Sequence, residues 1–333
     1  MRPQRLLGLT VLAASVVACT NSSPSSSAAL PETREPTLGP QPTTIASPTE
    51  AVVDLSGRIV FERSNPATNN TAVFVADANG TGIELLFGRG AEMPHWSPDH
   101  KTVSVFCCDD GMAAHLIEVS TGAFRELTPP DPALEVHCGP WTADGSELAC
   151  ESFGVDDDSR NGVYTIRASD GKRLRQLTSN PKGDDAPGDF SSDGKLLVFT
   201  RFNDDGSALW VARLGTNEPP TQITLSGAVG ECFCGTFSPD GSEIAYTSAD
   251  DGGVYLVRPD GTDLHKVFQD AEGRWAFTPA WSPDGRYILV ALSASRQLAT
   301  HPPTDLYVIR SDGSEPTLVL PGDVYQSHPD WAP

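Results

Sequence analysis

Three histidines and several carboxylates of this chain could do chemistry, and all of them stand shortly before a recurring aromatic residue. Imidazole and carboxylate groups with nearby thiolates could hold zinc or copper, and the same groups could act as acids and bases. Their spacing is not diagnostic of a metal site, so a polar rim that binds a protein or a small ligand is the favoured interpretation. The candidate set is His95, His137, Asp185, Asp189, Glu231, His328 and Asp330.

Sequence motifs of known catalytic chemistry are absent. The chain has no Gly-x-Ser-x-Gly, His-Glu-x-x-His, Gly-x-x-x-x-Gly-Lys or Gly-x-Gly-x-x-Gly, which serve nucleophilic, zinc, phosphate and dinucleotide chemistry. Acidic loops at 156–158, 203–205 and 250–252 could hold Ca²⁺, but none has the ligand spacing of an EF-hand. We therefore predict a protein that is not an enzyme and has no cofactor. Calcium binding by one of these loops stays open as an alternative.

A short phrase, best preserved as Trp-Ser-Pro-Asp-Gly, recurs along the chain and shows which elements must position these side chains. Successive copies lie 45, 49, 47, 44 and 50 residues apart. Such a period indicates one supersecondary unit per copy, stacked on its neighbours because no single unit can bury its own apolar face. The copies begin at Trp96, Trp141, Phe190, Phe237, Trp281 and Trp331.

One copy, from Trp281 to Val324, shows the order of elements within the unit. Its Ser-Pro-Asp-Gly segment predicts a β-turn, and residues 287–292 and 305–309 predict strands. A second turn at 311–313 leads to a fourth strand, and all six copies have a similar second turn. Each copy therefore predicts a four-stranded antiparallel meander, with the recurring aromatic ring packed between neighbouring sheets.

The two ends of the repeat region predict a closed ring. The segment before Trp96 has three strand-like stretches but no aromatic strand of its own, whereas the chain ends in such a strand at 328–331 with nothing after it. Placing that strand beside Ile59 and Phe61 completes a sixth sheet and protects the sheet edges. We expect an all-β, six-bladed β-propeller of four-stranded antiparallel blades over residues 55–333, closed by the C-terminal strand joining the N-terminal blade.

The phrase Pro-x-Trp-Ser-Pro-Asp-Gly, followed by a strand such as Ile-Ala-Tyr, resembles the WD40-like repeat of TolB-type β-propellers. The best copies are at 279–290, 94–106 and 237–246, and the resemblance covers about residues 55–333. It implies a six-bladed propeller. TolB has an additional N-terminal α/β domain, and propeller peptidases carry a hydrolase domain; we expect neither here, so the resemblance transfers neither a Tol–Pal role nor peptidase activity.

The first 54 residues predict an export signal followed by a tether. Arg2 and Arg5 precede an apolar run that is shorter than the roughly 20 residues of a membrane span. The run ends in Val-Val-Ala-Cys19, which resembles a bacterial lipobox and implies cleavage after residue 18 and lipidation of Cys19; an ordinary cleaved signal with an incidental cysteine is the alternative. Residues 19–54 are rich in Ser, Pro and Thr and predict a disordered tether.

Six cysteines follow Cys19, and an even number in an exported protein favours disulfides. Cys138 and Cys150 lie at nearly matching distances on either side of the turn at 143–145, which makes them the best single pair. For the other four, free thiols or a metal stay open as alternatives. These are Cys107, Cys108, Cys232 and Cys234.

The net charge of −21 argues against nucleic acid, whose phosphates need clustered Lys and Arg. The sequence predicts a monomeric, non-catalytic binding module, anchored by lipid at the outer face of a bacterial cell membrane, with an envelope protein or a cell-wall component as partner. The alternatives are a polysaccharide lyase or hydrolase with its site at the channel mouth, and a sensor of a small ligand or metal. Two of the histidines converging with Asp185, Asp189 or Glu231 in a deep pocket would favour an enzyme or a metal site, and a shallow mouth would favour a partner surface.

Overall fold

A computed structural model describes residues 55–65, 70–88, 90–107, 114–229, 235–296 and 302–333. Their strands form six four-stranded antiparallel sheets, which are the blades of a β-propeller. The predicted all-β, six-bladed architecture is therefore confirmed. The helical structure in these ranges is a single 3-10 turn at Asp158–Arg160, so no helix described here is long and apolar enough to cross a membrane.

In every blade the strands follow chain order from the innermost outward, except that the C-terminal strand is innermost in blade 1. Blade 1 comprises β24 (Gln326–Ala332), β1 (Arg58–Asn65), β2 (Asn70–Asp77) and β3 (Glu84–Phe87). Blade 2 comprises β4 (Ala91–Trp96), β5 (Thr102–Cys107), β6 (Ala114–Glu118) and β7 (Phe124–Leu127). Blade 3 comprises β8 (Leu134–Trp141), β9 (Glu147–Gly154), β10 (Gly162–Arg167) and β11 (Leu174–Gln176).

The second half of the ring follows the same pattern. Blade 4 comprises β12 (Asp184–Phe190), β13 (Leu196–Asn203), β14 (Gly206–Arg213) and β15 (Thr221–Gln222). Blade 5 comprises β16 (Thr236–Phe237), β17 (Ile244–Thr247), β18 (Val254–Val257) and β19 (His265–Phe268). Blade 6 comprises β20 (Trp275–Trp281), β21 (Tyr287–Ser293), β22 (Asp305–Arg310) and β23 (Thr317–Leu320).

The C-terminal strand closes the ring in the predicted place. β24 pairs antiparallel with β1, with Trp331 opposite Ile59. The indole N–H of Trp331 also donates a 3.0 Å hydrogen bond to the main-chain oxygen of Ser56. The two ends of the repeat region are thus joined by main-chain pairing and by a side chain.

The recurring aromatic residues pack between neighbouring blades. Trp331, which is 7% exposed, lies in one apolar cluster with Ile59 and Phe61 of its own blade and Leu289 of blade 6. A large ring at the same point of each sheet therefore fills the space that the twist leaves between blades.

Two of the indole groups also tie one blade to the preceding one. Trp141 of blade 3 donates its indole N–H to the main-chain oxygen of His95 in blade 2, at 3.2 Å. Trp281 of blade 6 makes the corresponding bond to Thr236 of blade 5, also at 3.2 Å. The sequence repeat thus specifies contacts between blades as well as the turns within them.

In blades 2 to 6, the repeated aspartate and a serine, or Thr142 in blade 3, stabilise the turn after the innermost strand. In blade 6, Ser282 Oγ donates to Asp284 Oδ1 at 2.7 Å, and the backbone N–H of Arg286 donates to the same oxygen at 3.0 Å. Gly285 completes the turn with a φ of 71°. In blade 2, His100 occupies the glycine position and adopts a φ of 56°, so the turn is kept without glycine.

In blades 1, 2, 3, 4 and 6, the pairing of the innermost strand shifts register just before the aromatic residue. In β4 the register with β5 shifts between Glu92 and His95. Bulges re-aim side chains and are common beside functional sites. Non-glycine residues in the left-handed region cost about 1–3 kcal/mol each and persist only where the surroundings hold them. Three residues that precede a proline in these bulges have positive φ, namely Met93 (48°), Thr278 (47°) and His328 (45°).

Candidate functional site

One end of the central channel opens into a cavity of about 430 Å³. Its wall is formed by the last residues of the six innermost strands and by some of the turns that follow them. The described residues of this wall include no lysine or arginine. A ring of residues directly before the aromatics contributes one side chain per blade, in blade order Asp330, His95, Pro140, Asp189, Thr236 and Ala280.

The structure brings together four of the seven candidate residues at this cavity. They are His95, Asp189, His328 and Asp330. Glu231 lies outside the described residues, and His137 and Asp185 do not line the cavity. The cavity lies where the innermost strands end, beside the recurring aromatic residues.

Asp189 and Asp330 lie in blades 4 and 1, on opposite sides of the six-bladed ring. The backbone N–H of Trp96 in blade 2 donates to Asp330 Oδ2 at 2.7 Å, and that of Phe237 in blade 5 donates to Asp189 Oδ2 at 2.9 Å. The other oxygen of each carboxylate accepts the backbone N–H of the next residue, at 2.8 and 2.7 Å. Each aspartate therefore links its blade to the following one and is fixed in orientation.

The surroundings of Asp189 and His95 in the cavity wall shift their pKa values. Burial raises the pKa of Asp189 to about 7; the charge of Asp330 acts in the same direction, and hydrogen bonds from Phe237, Phe190 and Thr236 oppose it. Burial lowers the pKa of His95; attraction to Asp330 opposes this and repulsion from His328 adds to it. Near neutral pH the His95 ring is therefore uncharged, while Asp189 is close to its titration midpoint.

His328 is held by a carboxylate that the sequence reasoning missed. Its Nδ1 lies 2.7 Å from Oε1 of Glu62, which is buried in β1. The hydroxyl of Tyr325 donates to the same oxygen at 2.5 Å, and the backbone N–H of Met93 donates to Oε2 at 2.8 Å. These contacts hold two of the left-handed bulge residues, Met93 and His328.

The electrostatics of Glu62 agree with this role. Burial raises its pKa, but attraction to His328 and the hydrogen bonds from His328, Tyr325 and Met93 outweigh burial, so the pKa is lowered. The signal in the sequence was a lone carboxylate at the end of the apolar run Ile59-Val60-Phe61.

His137 belongs to a separate group in blade 3. Its ring nitrogens lie 3.5 Å from Glu135 Oε1 and 3.9 Å from Glu151 Oε2. The ring packs edge-on to Phe106 and Phe153, with centroids 4.8 and 5.6 Å away. Burial raises the pKa of Glu151, and hydrogen bonding and attraction to His137 oppose the shift.

Asp185 is fully buried and neutralised within its own blade. It pairs with Arg201, which lies opposite it in the β12–β13 register, through contacts of 2.7 and 2.6 Å. The hydroxyl of Thr178 donates to the same carboxylate at 2.6 Å. The guanidinium also lies 5.4 Å from the Phe199 ring and 4.9 Å from the Trp210 ring. This pair stabilises blade 4 and does not face the channel cavity.

A disulfide joins Cys138 and Cys150, the pair that the sequence favoured. The two residues lie opposite each other in the β8–β9 register. Cys19, Cys108, Cys232 and Cys234 lie outside the described residues, as does the side chain of Cys107. Within the described ranges, no group of three or more His, Cys, Asp or Glu side chains is placed to hold a metal ion.

No protein-family model matches the sequence. Several solved structures share its fold. TolB from Acinetobacter baumannii superposes with a TM-score of 0.66 at 20% identity, covering 84% of this chain and 68% of that one. A protein assigned as TolB from Agrobacterium tumefaciens gives a TM-score of 0.62 at 17% identity, covering 84% and 99%.

An oligogalacturonate lyase in complex with manganese gives a TM-score of 0.55 at 15% identity, covering 80% of this chain and 74% of the lyase. At these identities the similarity shows the fold alone. The chain is a six-bladed β-propeller whose structural neighbours include TolB proteins.

Proposed function

We propose that this protein is a lipid-anchored, extracytoplasmic binding module that holds a partner of the cell envelope, a protein or a cell-wall component, at the channel cavity. The observation that carries the proposal is the cavity itself, to which all six blades contribute. Binding sites are typically concave and combine apolar walls with a few placed polar groups. Here prolines and aromatic residues form much of the wall, and Asp189 and Asp330 are fixed by backbone hydrogen bonds.

Rigidity of the cavity supports the same proposal. The polar groups stand on strands that are joined across blades, so a partner would meet a preorganised surface. The similarity to TolB propellers agrees with a binding role.

The cavity can be tested with a photo-crosslinking residue at Ser192, which is exposed and lines the cavity. The matched control is Asp204, which is exposed just beyond the other end of β13 in the same blade. We expect crosslinking in intact cells to an envelope protein or cell-wall fragment from position 192 and not from position 204. Equal products from both positions, or none from either, would refute a partner site at the cavity.

The anchor is the second part of the proposal. Cys19 would carry the lipid, and a flexible tether of 35 residues would reach about 30–35 Å from the membrane. Substituting Cys19→Ser should move the protein from the membrane fraction to the soluble extracytoplasmic fraction, whereas Thr20→Ser should leave it with the membrane. Unchanged membrane association of the Cys19→Ser protein would contradict lipid anchoring.

A polysaccharide lyase or hydrolase is the second candidate function. It is favoured by one observation: His95 and His328 line the same cavity as Asp189, whose pKa is raised by burial to about 7, and such a group suits general acid–base catalysis. The fold similarity to the lyase is compatible with it.

This second function predicts that cell-wall or pectic polysaccharide yields unsaturated ends, read by ultraviolet absorbance, or new reducing ends. Release should depend on His328, so His328→Gln is the test variant and His265→Gln, at an exposed position outside the cavity, is the control. If the wild-type protein releases no more product than the His328→Gln protein, the enzymatic function is refuted and the binding function is the one that stands.

A further inference from the structure

Four Asp and Glu residues among the described ones are almost fully buried, and each has a basic partner, an arginine for three of them and His328 for Glu62. The exposed fraction of each is 8% or less. Burying a carboxylate without a partner is costly, which explains this pattern. The pairs are Glu62 with His328 at 2.7 Å, Glu147 with Arg175 at 2.9 Å, Asp185 with Arg201 at 2.6 Å, and Asp270 with Arg274 at 2.9 Å.

The two cavity carboxylates, Asp189 and Asp330, are only partly buried and lack such a partner. No described lysine or arginine lies within ion-pair distance of either, and their strong contacts are to uncharged backbone N–H groups. The other titratable residues that line the cavity are His95, His100 and His328. His95 is held uncharged by burial near neutral pH, and His328 is paired with Glu62.

The rest of the cavity wall fits the stem of a long side chain. Prolines from four blades line it beside the rims of the recurring aromatics, and such surfaces pack well against the methylene groups of lysine and arginine. The ring of Trp96 also lines the cavity and is 8% exposed, yet its indole N–H has no hydrogen-bond partner.

Building on the proposed partner site, we propose that the cavity accepts a lysine or arginine side chain of an extended peptide segment, with its cationic head group between Asp189 and Asp330. The head group would supply a positive charge to two carboxylates that have no described lysine or arginine beside them. The stem would lie along the proline-lined wall, and the peptide backbone would lie at the open end of the channel.

This assignment carries a pH dependence with a definite sign. Asp189 shares the cavity with Asp330, His95, His100 and His328, and the His95 ring is uncharged near pH 7 because burial lowers its pKa. Asp189 is protonated below its pKa of about 7 and charged above it. Binding that requires the charged form should therefore strengthen about tenfold from pH 6 to pH 8, since the ionised fraction rises by that factor.

The test uses the full-length chain in detergent micelles and follows the histidine ring signals by NMR. The probes are the capped tripeptides acetyl-Gly-Lys-Gly-amide and acetyl-Gly-norleucine-Gly-amide, because norleucine has the same aliphatic stem without the ammonium group. The dissociation constant of each probe is obtained from the shift of the His95 signal during titration. We expect the lysine probe to bind at least ten times more tightly than the norleucine probe, and more tightly at pH 8 than at pH 6. Equal binding of both probes, or affinity that does not change with pH, would overturn the assignment.

Variants separate the cavity from the general negative charge. Asp189→Asn and Asp330→Asn should each weaken the lysine probe, while Asp193→Asn, in the exposed turn of the same blade, should not. Because both cavity aspartates also accept hydrogen bonds from backbone N–H groups, thermal unfolding is measured to check that each variant is folded. If a variant does not fold, the comparison of the lysine and norleucine probes in the wild-type protein tests the assignment. Calcium chloride is added both to the free protein and to the protein with bound lysine probe. Displacement of the lysine probe by calcium would support binding of both to the same carboxylates. A shift of the His95 signal with calcium but not with the lysine probe would overturn the assignment. Crosslinking from Ser192 with no lysine binding would reject this inference and leave the partner site standing.

Discussion

Deleting the last five residues, Pro329–Pro333, should abolish the cooperative folding of the propeller. The deletion removes Trp331, which is 7% exposed and packs between blades 1 and 6. It also removes Asp330, whose carboxylate accepts the backbone N–H of Trp96 in blade 2, and the part of β24 that pairs with Ile59. Three blades therefore lose contacts at one point.

The expected loss can be worked out from these contacts. Removing a buried tryptophan side chain costs about 3–5 kcal/mol, and losing a hydrogen bond to a charged group costs about 1.5–3 kcal/mol. Together they lower the free energy of unfolding by roughly 5–8 kcal/mol, before the lost main-chain bonds of β24 are counted. A typical domain has about 5–15 kcal/mol in total, so the truncated ring should be unfolded or close to it.

Circular dichroism and calorimetry of thermal unfolding measure this effect. The graded control is Trp331→Phe, which keeps an apolar ring but loses the indole N–H bond to Ser56; it should lower the transition temperature while preserving a single cooperative transition. Deleting Pro333 alone, an exposed residue, should have little effect. A truncated protein that retains the full wild-type transition would refute closure by β24 as the source of cooperativity.

Three further perturbations follow from the described contacts. Arg201→Met should lower the free energy of unfolding by about 3–5 kcal/mol in urea, because it leaves the buried Asp185 without its cation; adding Asp185→Asn should recover part of the loss. Replacing both Cys138 and Cys150 by alanine should cost about 2–4 kcal/mol, since the cross-link at a sequence separation of 12 restricts the unfolded chain, and no loss of transition temperature would contradict this. Because burial raises the pKa of Asp189 from 3.8 to about 7, its contribution to stability is complete below the lower value and is lost progressively as pH rises to the upper one. The difference in transition temperature between wild type and Asp189→Asn should therefore change between about pH 5 and pH 8, and a constant difference would refute the assigned titration.

Much of the architecture was readable from the sequence. The Trp-Ser-Pro-Asp-Gly phrase predicted the turn geometry, because proline, serine, aspartate and glycine act on the backbone over a few residues. The missing aromatic strand before Trp96 and the extra one at Trp331 predicted the closure beside Ile59, which the pairing of β24 with β1 confirms. The Cys138–Cys150 pair could be chosen because both residues lie on one hairpin.

The grouping of the candidate side chains was decided only by the tertiary structure. His95, Asp189 and Asp330 meet because each directly precedes an aromatic residue at a bulge, and the curvature of the ring then turns them toward one channel. Asp185 looked equivalent in the sequence, yet its register opposite Arg201 neutralises it inside blade 4. Local turn and alternation signals determine which strands form, whereas convergence across a ring depends on register, bulges and blade packing between residues far apart in the chain.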